Sequence, residues 1–197
     1  MKIIIATKNR GKIKEIMFFF REHEGIQWGS IANLKSFPDI EETGDTFYEN
    51  AMIKATTVSK LKKCHCLADD SGLEVDYLDG KPGVISSRYS GKDATERSNR
   101  KKLLDELDGV ALKDRSARFI CTMVLSDPGG KILHTSTGTC EGRIGYKETG
   151  DMGFGYDSIF IPRDHKKTMA QLTQAEKNAI SHRGRALVDM KKYLVGL

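Results

Sequence analysis

Two adjacent carboxylates, in the run Ala68-Asp69-Asp70-Ser71-Gly72-Leu73, are the residues here best suited to a hard divalent cation. Mg²⁺ prefers oxygen ligands and usually takes one or two from protein, leaving phosphates and water to complete its octahedron. One carboxylate can then bind metal while a carboxylate orients or deprotonates an attacking water. Asp-Ser-Gly is also ordinary turn chemistry, which is the plain alternative for this run. A second acidic stretch runs Glu41-Glu42-Thr43-Gly44-Asp45-Thr46-Phe47-Tyr48-Glu49-Asn50-Ala51. Charges this dense repel each other unless a cation sits among them. Acids favour the first turn of a helix, which accounts for Glu49 but leaves Glu41 and Glu42, ahead of the helix, unexplained.

The basic counterpart is Thr7-Lys8-Asn9-Arg10-Gly11-Lys12. Lys8, Asn9, Lys12 and the Gly11 backbone can grip a polyphosphate, although the spacing of the Walker A loop is absent. A solvated, lysine-rich turn is the competing reading. Toward the other end, Gly153-Phe154-Gly155-Tyr156-Asp157 pairs with Ser181-His182-Arg183. Glycines flanking an aromatic allow close approach, so Phe154 can stack a base while Asp157 accepts from its ring N–H. His182 and Arg183, at a helix start, can donate to carbonyl oxygens; taken singly, such a histidine is more often a surface or core residue. The four cysteines, Cys64, Cys66, Cys121 and Cys140, contain no C-x-x-C pair and are expected as buried thiols.

These residues need elements to position them. Lys2 to Ala6 is a β-branched run that reads as a buried strand, broken at Thr7 to Lys12 and followed by a helix with Ile13, Ile16, Met17 and Phe20 on one face. Strand, loop and helix in that order aim backbone N–H groups and a positive helix end at a ligand above the strand. A strand near Ile26 to Trp28 precedes a second helix, opened by the capping box Thr46 to Glu49 and continued by Ala51, Ala55, Val58 and Leu61. Cys64 to Ala68 is a third strand, expected to end at Asp69-Asp70-Ser71-Gly72. Asp93 to Glu96 reads as another capping box, for a helix stopping at Gly109. Ala117 to Leu125 and Lys131 to Cys140 form a hairpin. The Gly150 to Tyr156 loop leads to a strand from Ser158 to Ile161. Thr173 to Glu176 caps a helix, and Ser181-His182-Arg183 begins the last. The class is α/β with a mixed sheet flanked by helices.

The chain has 197 residues, 39% hydrophobic and 30% charged, with a formal net charge of +5. That composition suits one domain with a real core, and excludes collagen, a disordered tail and a disulfide-stapled miniature. No apolar run approaches the roughly 20 residues that span a bilayer, and Met1 to Lys8 turns polar too early for a signal peptide, so the expected location is the cytosol. The positive excess fits an anionic ligand, polyphosphate or nucleic acid. Nucleic acid, stacking on Trp28, Phe154 and Tyr156, leaves the carboxylates at 41–49 and 69–70 unexplained.

Taken in order, Thr7-Lys8-Asn9-x-Gly11-Lys12, Glu41-Glu42-Thr43-Gly44, Glu49-Asn50-Ala51, Ala68 to Leu73, Gly153 to Asp157, and Glu176-Lys177 with Ser181-His182-Arg183 resemble the inosine/xanthosine triphosphate pyrophosphatase family. Lys81-Pro82-Gly83-Val84 and Arg88-Tyr89-Ser90-Gly91 fit its bacterial members. The resemblance spans almost the whole chain. It implies an elongated ITPase-like fold of the Maf and anticodon-binding-like type. It also implies a cytoplasmic homodimer using Mg²⁺ to hydrolyse ITP, dITP and XTP to the monophosphate and pyrophosphate, with no stable nucleic-acid binding. A related pyrophosphatase of pyrimidine or modified triphosphates is the nearer alternative, and a nucleic-acid-binding domain the more distant one. Carried onto this chain, it implies Thr7, Lys8, Asn9, Arg10, Gly11 and Lys12 at the triphosphate, Glu41 and Asp70 at the metal, and Asp70 as proton acceptor for water. Ser71 would lie against the substrate; Phe154, Gly155, Tyr156 and Asp157 would form the base pocket, completed by Lys177, His182 and Arg183. Two positions depart from the pattern: Ser158 follows Asp157 where the family usually has proline, and Asp151-Met152 replaces a pair of small residues.

Overall fold

The computed structural model describes residues 1–22, 25–34 and 37–196. Among these residues six strands form one sheet in the order β2-β1-β3-β4-β5-β6. They are β1 (Lys2–Ile5), β2 (Gln27–Ser30), β3 (His65–Val75), β4 (Ser116–Ser126), β5 (Ile132–Ile144) and β6 (Phe160–Pro162). β1 runs parallel to both β2 and β3, with Ile4 opposite Gly29 and Cys66, whereas β6 runs antiparallel to β5, with Arg143 opposite Ile161. The mixed sheet matches the expectation. Among the described residues five α-helices accompany it: α1 (Arg10–Phe19), α2 (Phe47–Lys62), α3 (Glu96–Glu106), α4 (Gln174–Ile180) and α5 (His182–Val195).

By their internal contacts the residues group into two compact units, one made of Met1–Asp70, Cys121–Gly138 and Arg183–Leu197, the other of Ser71–Ile120 and Thr139–His182. The first unit has two apolar clusters, one around Ile3, Ile5, Ile16, Leu67 and Met190, the other around Ala51, Ala55, Val58, Cys66 and Val124. The second unit has one, around Leu73, Leu103, Phe119, Ile144 and Phe160.

Local chemistry explains where most elements begin. Asn9 caps α1, its side-chain oxygen accepting from Lys12 N at 3.1 Å. Thr46 and Glu49 form the expected capping box of α2, and Thr173 and Glu176 that of α4. The box of α3 lies two residues later than expected, on Thr95 and Ser98, whose hydroxyls accept from each other's backbone N–H. Met17 and Leu61 are also corrected. Met17 is 39% exposed, since successive helical residues diverge by about 100° and Ile16 takes the inward direction; Leu61, in the last turn of α2, is 58% exposed.

The larger correction concerns β3. It does not turn at Asp69-Asp70-Ser71-Gly72 but runs straight through to Val75. Leu73 and Val75 are fully buried, and Leu73 N donates to Ser86 Oγ at 2.9 Å, so apolar burial and backbone pairing continue beyond the acids. The four cysteines are free thiols, with Cys66, Cys121 and Cys140 buried, as expected.

Candidate active site

In the first unit, charges from four elements meet around Asp69 and Asp70. Lys12, in the first turn of α1, places Nζ 3.0 Å from Asp69 Oδ2. The same oxygen accepts from Arg183 Nη2 at 3.2 Å. Arg183 is the second residue of α5, and its other terminal nitrogen donates to Glu15 of α1. Burial by itself would raise the Asp69 pKa, but Lys12, Arg183 and Lys54 override it and hold this carboxyl well below the usual range. Burial likewise opposes the Arg183 charge, while Glu15 and Asp69 drive its pKa higher still. The Asp69–Arg183–Glu15 string is therefore a set of fixed charges.

Asp70 differs. Lys54, from α2, donates to Asp70 Oδ1 at 3.1 Å and to Glu42 Oε1 at 2.7 Å. Asn50, one turn earlier, donates to Asp70 Oδ2 at 3.3 Å and accepts from Gly44 N at 2.8 Å, tying the acidic loop to the strand. Here burial dominates: it pushes the Asp70 carboxyl up, Glu42 adds to the rise, and Lys54 and Lys12 oppose it without cancelling it. Lys54 stays charged, because Asp70, Asp69 and Glu42 outweigh its own burial. Neighbouring aspartates with opposite shifts suit opposite tasks, one a permanent anion and one a proton acceptor.

Among the described residues no group of three or more His, Cys, Asp or Glu could hold a metal ion. What the site offers is two carboxylates, of Glu42 and Asp70, converging on a single cation, the Lys54 ammonium. Such hard oxygen donors fit Mg²⁺, which takes few protein ligands when phosphates supply the rest. Of the two adjacent glutamates, Glu41 is exposed and Glu42 is the one turned to Lys54 and Asp70.

The expected polyphosphate loop divides in two. Thr7 to Asn9 is loop, Thr7 Oγ1 accepting from Asn9 N at 3.1 Å, while Arg10, Gly11 and Lys12 are the first turn of α1. Lys8 is exposed and pairs with Asp39 at 2.6 Å. Lys12 alone of this loop's cations is brought to the aspartates.

The second unit holds the glycine loop. Gly150, Gly153 and Gly155 all have positive φ, and a Cβ on Gly153 would lie 2.1 Å from Asp157 Oδ2, so that position requires glycine. That oxygen accepts from Phe154 N at 2.9 Å and from Lys177 Nζ at 2.6 Å. Asp157 thus closes the loop on itself. The Lys177 ammonium lies 4.7 Å from the centre of the Phe154 ring. Phe154, Gly155 and Asp157 help line a cavity of about 170 Å³, together with Arg100, Glu148 and Ser158.

Tyr156 points away from that role. It is 5% exposed, belongs to the core, and donates its hydroxyl to the Ser86 carbonyl at 2.8 Å. His182 stacks on Phe119 with centroids 4.7 Å apart. Ser71 is half-buried on β3 and groups with the second unit. Within the first unit the structure thus brings together Lys12, Asp70 and Arg183; within the second it brings together Phe154, Asp157 and Lys177. Sequence reasoning missed Glu15, Asn50 and Lys54 as site residues. Their signal was a polar residue at core spacing on an amphipathic helix: Lys54 lies three residues after Ala51 and four before Val58, and Glu15 lies four before Phe19, which packs against the core.

Acids on a strand that pairs in parallel with β1, met by lysines from two helices, and a glycine-rich aromatic loop beside a buried lysine, define an α/β protein equipped for nucleotide phosphate chemistry. The chain belongs to the Ham1 family, which matches residues 3–193. It is 50% identical to the dITP/XTP pyrophosphatase of Oceanobacillus iheyensis, over 98% of either chain. It is 48% identical to the protein of that name from Bacillus licheniformis, over 98% of this chain and 97% of that one. Among solved structures, a HAM1 protein from Coxiella burnetii superposes with a TM-score of 0.89 at 42% identity, covering 100% of both chains. The fold is thus the ITPase-like α/β architecture. No helix among the described residues is long and apolar enough to cross a membrane.

Proposed function

We propose that this chain hydrolyses non-canonical purine nucleoside triphosphates (ITP, dITP and XTP) to the monophosphate and pyrophosphate, with Mg²⁺. The observation that carries the reading is Asp70, a buried carboxyl with raised proton affinity set among cations suited to a polyphosphate. The relatives named dITP/XTP pyrophosphatase support the choice of substrate.

Asp70 takes the proton from the attacking water, a task helped by a pKa moved toward neutrality. Attack at the α-phosphorus builds negative charge on the departing pyrophosphate. Lys12 and Lys54 face that charge from fixed positions, with the buried Arg183 holding Asp69 in place, and Lys8 with the loop 7–11 adds donors nearer solvent. Glu42 and Asp70 would hold the metal, with Glu41 beside them, and a bound Mg²⁺ would supply further neutralisation of phosphate oxygens. A protein nucleophile is not needed. Burial pushes the Cys121 thiol, close to Asp69, up to about 12, so it stays protonated. In ¹⁸O-labelled water the label should enter the monophosphate; label confined to pyrophosphate would contradict attack at the α-position.

For the base, Phe154 offers a stacking face and the adjacent Lys177 a donor to a 6-keto oxygen, with Asp157, Gly155 and Tyr156 shaping the loop; from the family resemblance His182 completes the nucleotide site and Ser71 lies against the substrate. Adenine carries an amino group where hypoxanthine and xanthine carry the keto oxygen. Its donor would face the Lys177 donor, and unpaired buried donors discriminate by roughly 10⁴ or more. Turnover of ITP, XTP, GTP and ATP tests the pocket, and equal rates with ATP would remove it. From the family resemblance we extend the reading to a cytoplasmic homodimer without stable nucleic-acid binding; light scattering, and a gel shift in EDTA, test the two partner statements.

A further inference from the structure

The segment that presents Phe154 is tied down by side chains that the reading above does not use. Arg100, in α3, donates from Nε to Glu148 Oε2 at 2.8 Å and from Nη1 to the Gly155 carbonyl, also at 2.8 Å. Glu148 Oε2 accepts in turn from Ser158 Oγ at 3.2 Å, and the Ser158 carbonyl accepts from Thr149 N at 2.8 Å. The Arg100 side chain is only 16% exposed.

These contacts matter because of what Gly155 lacks. Its φ is +61°, and a Cβ there would meet nothing within 4 Å, so packing does not fix this residue. A glycine held by nothing samples many conformations, and ordering it on ligand binding costs entropy. A guanidinium fork meets two acceptors in one plane, so rotation that frees the Gly155 carbonyl also breaks the Glu148 contact. Ser158, meanwhile, stands where the resembled family usually has proline, whose ring fixes φ covalently. In this chain a side-chain hydrogen bond occupies that position.

We infer that Arg100, acting through Glu148 and Ser158, is a positioning residue that pre-sets the Phe154-Gly155 segment for the purine base. This rests on the proposed function for its substrate, though not for its geometry. Arg100 holds the loop that meets the base, and the phosphate-side network of Lys12, Lys54 and Asp70 does not depend on it.

The test is Arg100→Leu, with ITP turnover, IMP affinity and inhibition by pyrophosphate measured side by side. KM for ITP and Kd for IMP should rise about three- to tenfold, the size expected when binding must order one loosened group that Arg100 no longer holds. The kcat and the pyrophosphate inhibition constant should stay within about twofold, since neither reports on base binding. Adding Ser158→Pro should bring KM back toward the original value, by restoring stiffness through a ring; general damage to the fold would not be repaired that way. Amide hydrogen exchange at 153–155 should quicken in Arg100→Leu. An unchanged KM, an equal rise in the pyrophosphate constant, or unchanged exchange would each overturn the inference. If the unaltered protein releases no pyrophosphate from ITP, the functional reading fails, and the exchange measurement alone decides whether Arg100 holds the loop.

Discussion

Where the first unit buries Glu15, Asp69, Asp70, Lys54 and Arg183 as alternating charges, the second builds its loop from glycines with positive φ and hydrogen bonds to backbone. The two constructions fail differently. A buried ion is tolerated only while its partner is present, so each charge in the first unit depends on the next. Backbone conformation in the second unit is set by several weak contacts beside one buried ion pair, Asp157 with Lys177; losing any contact but that pair loosens the loop without leaving a buried charge stranded. Substitutions in the first unit should therefore damage turnover or the fold itself, and those in the second should damage affinity.

The sharpest test of this contrast is Asp70→Asn. Asparagine keeps the shape but cannot accept the proton, and kcat for ITP should fall by at least about 10². A fully active variant would move the proton-accepting role to Asp69 or Glu42. Next in size is Arg183→Leu, which leaves the Glu15 and Asp69 carboxylates buried without their shared guanidinium. Loss of one member of a buried pair costs about 3–5 kcal/mol, read as a fall in the denaturation midpoint. Adding Glu15→Gln should recover part of that loss, because the two changes remove charges that depend on each other. Strictly additive losses would show that the string is not a coupled unit.

Phe154→Ala probes the other side of the comparison. Loss of base stacking is worth roughly 1–3 kcal/mol and should appear almost wholly in KM. A matching fall in kcat would mean that the loop takes part in the chemical step, and the division of labour between the two regions would go.

What could be read from the chain alone follows the range of the forces involved. Thr46 with Glu49, and Thr173 with Glu176, announced their helices because both halves of each capping box lie three residues apart. The continuation of β3 through Asp-Ser-Gly was hidden. It depends on burial of Leu73 and Val75, and on cations contributed by Lys12 and Arg183, which local turn propensity cannot report. Asp69, Asp70, Phe154 and the basic turn were visible as residue types. Which oxygen faces which donor was not: Glu15 and Arg183 are 168 positions apart. Asp157, expected to face a ring N–H, turns one oxygen to its own loop and to Lys177. Nothing in the spacing separates Glu41 from Glu42; it is Glu42 that meets Lys54 of α2, a contact set by packing.

The smallest expected effect separates the two adjacent aspartates by the sign of their linkage to pH. Asp69 titrates below its ordinary value in the folded chain, so its contribution is present at neutral pH and is lost as pH falls through that lowered pKa. Asp70 titrates above its ordinary value. Between the two values the folded chain holds a proton that the unfolded chain releases, and stability declines as pH rises through that window. Asp70→Asn removes this decline. Lys54 is not stranded by the change, because it keeps Glu42 at 2.7 Å, the shorter of its two contacts. Melting temperatures followed from acid to neutral pH should therefore show Asp70→Asn at or above the unaltered chain at neutral pH, with the two curves meeting at the acid end. The activity of the unaltered chain should rise through the same window as the carboxyl deprotonates. A variant that melts lower at neutral pH would mean that attraction to Lys54 and Lys12 outweighs the cost of burying Asp70, and with it the argument for a raised proton affinity would fall.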